Sequence, residues 1–162
     1  MHNTDILICG LYEHITESKE AVDIVSDATK EENSTTEHPE RVVIAISNVL
    51  SWAQTDVQEG EVLCEEDYTR RKPHPNHTEL MELEKHICRA SSEKLRVHAV
   101  NAGLCYGHDQ GLFSQAFEDA WNGDPVRVPL IQSEGANMVP CVHYDDLSNA
   151  ICNLLDVPDS VR

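Results

Sequence analysis

The chain has 162 residues, of which 40% are hydrophobic and 25% charged; this is the composition of one globular domain, or part of one, and it excludes wholesale disorder. Twelve Lys and Arg against 29 Asp and Glu leave a formal charge of −17, a potential that repels phosphates and anionic lipids, so no nucleic-acid partner is expected. No stretch reaches the roughly 20 apolar residues of a membrane span, and the first residues lack a secretory pattern, so the expectation is a soluble cytoplasmic protein with no membrane partner.

In chain order, Asp5-Ile-Leu-Ile-Cys9 reads as a short strand buried on both faces. From Thr16 to Lys30, Ala21, Val22, Ile24, Val25 and Ala28 recur at helical spacing under an acidic exterior, which predicts an amphipathic helix followed by a polar loop over 31–40. Arg41 to Ile46 is β-branched and apolar without alternation, as a central strand should be. The acidic stretch Asp56–Asp67 and the basic Arg70, Arg71 and Lys72 read as one solvated surface loop ending at Pro73 and Pro75. Asn76 is placed to cap a helix whose apolar stripe is Leu80, Leu83, Ile87 and Cys88.

Leu95–Val100 is a further strand ending in the turn-prone Asn101-Ala-Gly103. A third helix carries Leu112, Phe113, Ala116, Phe117, Ala120 and Trp121 toward a core and stops at Gly123. Val126–Ile131 suits an edge strand because Pro129 interrupts it, and a last helix starts at Asp145 or Asp146, buries Leu147, Ala150, Ile151, Leu154 and Leu155, and stops at Pro158. Strands alternating with helices predict an α/β fold, a partial doubly wound, mostly parallel sheet with flanking helices. The six cysteines, at 9, 64, 88, 105, 141 and 152, lie mostly in apolar segments and read as buried, reduced thiols. Asn33 and Asn76 match the glycosylation pattern by chance in a protein that is not secreted.

Chemistry-bearing motifs are sparse. The seven glycines form neither GxGxxG nor GxxxxGK(S/T), so no phosphate cradle is evident and no ATP-dependent transfer is expected of this chain. His74, His77 and His86 lie close in sequence but follow no zinc spacing, and no metal is expected. Ser47 or Ser51 could pair with His98 or His143 as nucleophile and base, yet neither serine sits in a glycine-flanked elbow. One constellation stands out: Ser47-Asn48 after the central strand, Lys85 on the second helix, and Tyr106-Gly107 after a later strand, because ligands of α/β sheets sit at the carboxyl ends of strands.

That constellation resembles the second half of an extended short-chain dehydrogenase/reductase, with Asp5-Ile-Leu-Ile and Val42-Val-Ile-Ala-Ile-Ser47 at the fourth and fifth strands of the family. The resemblance implies a catalytic Ser or Thr after the fifth strand and a Tyr-x-x-x-Lys helix. Here the Tyr position is Met81, four before Lys85, and the Ser/Thr position is Asn48, or Ser47 if the alignment slides by one. Leu104 replaces an Asn, and Val139 an Arg that meets substrate. A thioether cannot relay a proton, and acid–base catalysis contributes about 10²- to 10⁴-fold, so a catalytically silent relative is implied. Lys85, Asn101, Ala102 and Gly103 would line what remains of an NAD(P) edge, which makes the cofactor at most vestigial.

A more specific resemblance covers nearly the whole chain. Ser51-Trp-Ala53, Arg70 to Asn76, Ala102 to Gly107, and Gly135 to His143 leading to Asp146-Leu147 are similar to the N-terminal region of the adenylate kinase 7 family. It implies that residues 1–162 are the C-terminal part of a degenerate reductase-like Rossmann domain without its first strands and glycine-rich turn. It also implies a nucleoside-monophosphate kinase domain elsewhere in the parent chain and an association with motile cilia. The partner expected on this reading is another protein, or the rest of the parent chain, covering exposed strand edges; the alternative is a remnant of an NAD-dependent epimerase or dehydratase.

Overall fold

The computed structural model describes residues 5–31, 41–58, 60–108, 111–126 and 139–156, and the chain divides into two units, Met1–Asn101 and Ala102–Arg162. In the first unit, β1 (Ile6–Gly10), α1 (Ile15–Glu31), β2 (Arg41–Asn48), α2 (Thr78–Cys88) and β3 (Leu95–Ala102) follow one another, the last strand ending at the division. The sheet order is β1-β2-β3, so β2 is central as its unbroken apolar run requires. β1 and β2 are parallel, Ile6 opposite Val42 and Gly10 opposite Ile46. The Arg41 amide donates to Lys94 O at 3.0 Å, which sets the starts of β2 and β3 side by side.

Both helices pack on one face of this sheet. Val43 and Ala45 of β2 and Leu95 of β3 meet Val22 and Val25 of α1 and Leu80, Leu83 and Ile87 of α2, with Leu7, Cys9 and Val97 packed at the margin. These strand residues alternate, as the pleat demands, and each fully buried aliphatic side chain contributes about 1.5–3 kcal/mol. The sequence pattern misplaces part of the α1 stripe. Ile24 is exposed, while Ser18, Ser26 and Thr29 are buried; Ser18 donates to Gly10 O at 3.1 Å and Thr29 to Val25 O at 2.7 Å. Hydroxyls that return a hydrogen bond to local backbone can occupy a core-facing position.

β1 is not buried on both faces. It is an edge strand in which Ile6 and Ile8 are 49% and 48% exposed, because no described strand pairs on its far side and no described helix covers that face of it. The expected surface loop after β2 is also more ordered than its charge suggests, with 3-10 turns at Val49–Trp52, Glu65–Arg70 and Pro75–His77. The last of these moves the start of α2: the His74 ring caps the turn, and α2 begins at Thr78 after His77 instead of being capped by Asn76.

The second unit contains β4 (Leu104–Tyr106), α3 (Ser114–Asn122), β5 (Cys141–His143) and α4 (Tyr144–Leu155), with β4 and β5 parallel. The two three-residue strands were not legible as strands in the sequence. Gly103 is required at the entry to β4, since a Cβ there would lie 2.5 Å from Pro140 O. Gly123 ends α3 in the left-handed conformation, as its position predicts, with φ 75°. The aromatics of α3 are not core: Phe117 is 58% and Trp121 92% exposed, and the buried residue of that helix is Asp119, which accepts from Gln115 at 3.0 Å. In α4, likewise, no residue is buried, and the cap is the His143 ring, ahead of the expected Asp145 or Asp146.

The six cysteines are unpaired; Cys64, Cys141 and Cys152 are exposed rather than buried, because they lie on a loop, an outer strand position and an exposed helix face. Asn33, Pro158 and residues 127–131 of the expected edge strand lie outside the described residues; Val126 is described and lies outside any strand. No described helix is long and apolar enough to cross a membrane.

Candidate functional site

The carboxyl ends of β2 and β3 converge on a buried polar cluster. Ser47 is the last inward residue of β2, and Asn48 then leaves the strand and caps the first 3-10 turn, its side chain accepting from the Leu50 amide at 2.9 Å. That turn delivers Ser51, fully buried, beneath the strand ends. From the opposite side α2 presents Glu84, and the segment after the Glu65–Arg70 turn brings in Arg71. The side chains of Arg71 and Glu84 are 1% and 0% exposed and form an ion pair through Arg71 Nη1 and Glu84 Oε2.

Every neighbour joins this pair. Ser47 donates its hydroxyl to Glu84 Oε1, and the Asn101 amide at the end of β3 donates to the same oxygen at 2.9 Å and to Ser51 Oγ at 3.1 Å. Arg71 reaches Ser51 Oγ at 3.3 Å, and the Trp52 indole donates to Asn101 Oδ1 at 3.0 Å. The guanidinium lies over the rings of Tyr68 and Trp52, 4.2 and 5.6 Å from their centroids. An arginine can hold this position because its planar cation stacks on aromatics and is weakly hydrated, which lowers the cost of burial. Glu84 is a carboxylate accepting three hydrogen bonds, so its charge is compensated where it is fully desolvated.

Arg71 does not lie on a surface basic patch: Arg70 and Lys72 are on the outside, paired with Asp67, Glu61 and Asp56, while Arg71 between them turns inward. The burial of Glu84 does have a signal in the sequence. Glu84 lies on the same face as Leu80, Leu83 and Ile87, and an acid inside an apolar stripe demands a buried partner. Ser47 and Ser51 thus bond to this cluster, as does no described histidine of the first unit.

The other expected site residues are in different states. Met81 is buried in α2. Lys85, half-buried, pairs with Glu82 at 2.9 Å and lines a cleft of about 410 Å³ with Tyr68, Thr69, Arg71, Cys88 and Arg89. Burial, and then the Glu84 charge, push the Cys88 thiol above its ordinary value, so it is protonated at neutral pH and a poor nucleophile. Both ends of the Asn101 amide are occupied, Ala102 is buried, and Gly103, in the second unit, packs against the Pro140 backbone. A nicotinamide cofactor needs donors at such an edge: the Asn101 amide is occupied at both ends and Met81 supplies none, while Lys85 faces the cleft paired with the exposed Glu82.

Of the three histidines close in sequence, His74 and His77 are neighbours, with ring centroids 5.7 Å apart, and each of His77 and His86 has a further partner. His77 stacks on Tyr12 with ring centroids 5.6 Å apart, and His86 bonds Asp23 across α1 and α2 at 2.7 Å. In the second unit, by contrast, His108, His143 and Asp145 converge. No motif spacing reveals them, since the two histidines are thirty-five positions apart.

No protein-family profile and no solved structure matches the chain. Among curated proteins it is similar to adenylate kinase 7 of Mus musculus, 34% identical over 158 residues, which cover 94% of this chain and 25% of that protein. It is also similar to adenylate kinase 7 of Macaca fascicularis, 34% identical over 65 residues, which cover 40% of this chain and 12% of that protein. The chain therefore spans about a quarter, or less, of the length of the curated relatives it matches, and it is homologous over nearly all of its own length to a segment of adenylate kinase 7.

Proposed function

We propose that the chain is a catalytically silent, reductase-like scaffold and interaction segment of an adenylate kinase 7-like protein. On this reading residues 1–162 correspond to the C-terminal part of a degenerate Rossmann-like reductase domain, and any nucleoside-monophosphate kinase activity resides elsewhere in such a protein. The observation that carries the reading is the buried Arg71–Glu84 pair, which takes up the hydroxyls and amide of Ser47, Ser51 and Asn101 at the strand ends where a reductase would hold its substrate. Met81, buried in the neighbouring helix face, has no proton to give. A buried ionic network of this kind, in which Arg71 bonds through Nη1 while its Nε and Nη2 have no hydrogen-bond partner, ties α2 to the strand ends through Glu84, which is a structural task. The exposed apolar edge of β1, with Ile6 and Ile8, suits docking of a protein surface or of another part of the parent chain.

The test is turnover. Neither the wild-type chain nor Met81→Tyr should change NAD(P)H absorbance with nucleotide-sugar or simple carbonyl substrates, because restoring one phenol leaves the cofactor edge occupied and the other positions unreplaced. Steady oxidation or reduction by either protein would overturn the silent reading.

A further inference from the structure

We propose that His108, His143 and Asp145 form a binding site for a divalent transition-metal ion of the zinc class. One ligand atom from each of the three lies within 4.8 Å of the other two. His108 Nε2 is 2.7 Å from Asp145 Oδ1, and His143 Nδ1 is 3.6 Å from Asp145 Oδ2. Bonds of about 2.0–2.2 Å to a tetrahedral ion place ligand atoms about 3.3–3.6 Å apart, so the spacing of up to 4.8 Å has to close by about 1 Å to bring the three onto one ion. The donor set selects the metal: two imidazoles with one carboxylate suit zinc and its neighbours, whereas magnesium and calcium require oxygen shells.

The backbone delivers these donors from separate parts of the second unit. Parallel pairing of β4 with β5 sets Tyr106 beside His143. Gly107 and His108 then both take positive φ, 114° and 51°, and the turn returns the His108 ring to the start of α4, where Asp145 lies. Gly107 must lack a side chain, because a Cβ there would lie 2.3 Å from His143 Nε2. The His143 ring is held edge-on to Tyr106, with centroids 5.3 Å apart, and 5.5 Å from that of His108.

The bland account of the cluster is an ion pair beside a helix cap. It explains the His108–Asp145 contact and the bond from the Asp145 amide to His143 Nδ1 at 3.2 Å, but it leaves the convergence of a second imidazole on the same carboxylate without a role. Releasing Nδ1 to a metal costs that cap, about 1 kcal/mol, which one metal–nitrogen bond offsets. A chain of charge −17 also favours bound cations. Three protein ligands leave a coordination position open, and His108 and Gly107 line a cleft of about 700 Å³ shared with Ser114, Gln115 and Glu118, from which water or an anion could complete the shell.

The test is a zinc titration of the full chain, kept reduced, against a chromophoric chelator, beside His108→Asn and His143→Asn. Asparagine tolerates the left-handed backbone at 108 and caps a helix at 143, so both variants keep the local structure while losing the imidazole. Six free cysteines can bind zinc elsewhere, so the readout is a difference: each variant should weaken one equivalent by about tenfold or more, the least that loss of a direct ligand should cost when loss of an outer-shell partner costs about 10–100-fold. Zinc should also shift the imidazole NMR signals of His108 and His143 in the wild-type chain, a readout independent of how the variants fold. Unchanged stoichiometry and affinity in folded variants, or unmoved His108 and His143 signals at saturating zinc, would overturn the site.

Discussion

Glu84 and Arg71 illustrate how one buried charge compels another. Removing Glu84 as Glu84→Ala strands a guanidinium that is 1% exposed, and breaking such a pair costs about 3–5 kcal/mol. Urea unfolding should show that loss, with Arg71→Met/Glu84→Leu recovering most of it because the double variant leaves no unpaired charge. A double variant no more stable than Glu84→Ala would mean that the network, and not only the pair, is indispensable. Asn48 carries the same lesson at lower stakes: a residue standing where a catalytic hydroxyl is expected serves instead as the cap of a 3-10 turn. The Glu84 signal was available in its apolar stripe, but the inward turn of Arg71 was not, because Arg70, Arg71 and Lys72 are alike in sequence and only the Tyr68 and Trp52 rings distinguish the middle one.

Among the elements, the long strand β2 and the helices α1 and α2 were legible because enough residues repeat the pattern, whereas β4 and β5 have three residues each and exist only through pairing with one another. Periodicity also could not tell which apolar stripe finds a partner, so β1 and α3 were read as buried although Ile6, Ile8, Phe117 and Trp121 are exposed. The edge strand carries a consequence for behaviour. Ile8→Lys should suppress self-association of the isolated chain, seen as a lower mean mass in light scattering, because a charge on an edge blocks strand-to-strand pairing; an unchanged mass would show that β1 is not the associating edge. The loop after β2 responds to acid. Arg70, the Cys64 amide and the Cys64 thiol hold Asp67 at about 2, below its ordinary 3.8, so its bonds hold the loop fully above the ordinary value and lose their hold as pH falls through about 2. Hydrogen-exchange protection at 64–70, taken relative to the intrinsic rate, should therefore fall on acidification below the ordinary value in the wild type, and Asp67→Asn should reduce that pH dependence, Glu61 and Asp56 retaining their share. An identical profile in the variant would assign the change to other groups.

For the whole molecule, composition and element order foretold an α/β parallel arrangement, and the division into two units was not foreseen because both share one acidic, motif-poor composition. Fold class follows from alternating strand and helix patterns, but function depends on what fills the strand ends, and there the deciding contacts join residues thirteen to fifty positions apart. The central claim is that the Arg71–Glu84 network occupies the place of a cofactor edge. The measurement that tests it most directly is a calorimetric titration of the intact chain with NAD and NADP in both redox states. The account predicts no saturable binding tighter than about 1 mM, equivalent to about −4.1 kcal/mol. Stoichiometric binding in the micromolar range, lost in Lys85→Ala or Asn101→Ala, would contradict it and restore a working dinucleotide site.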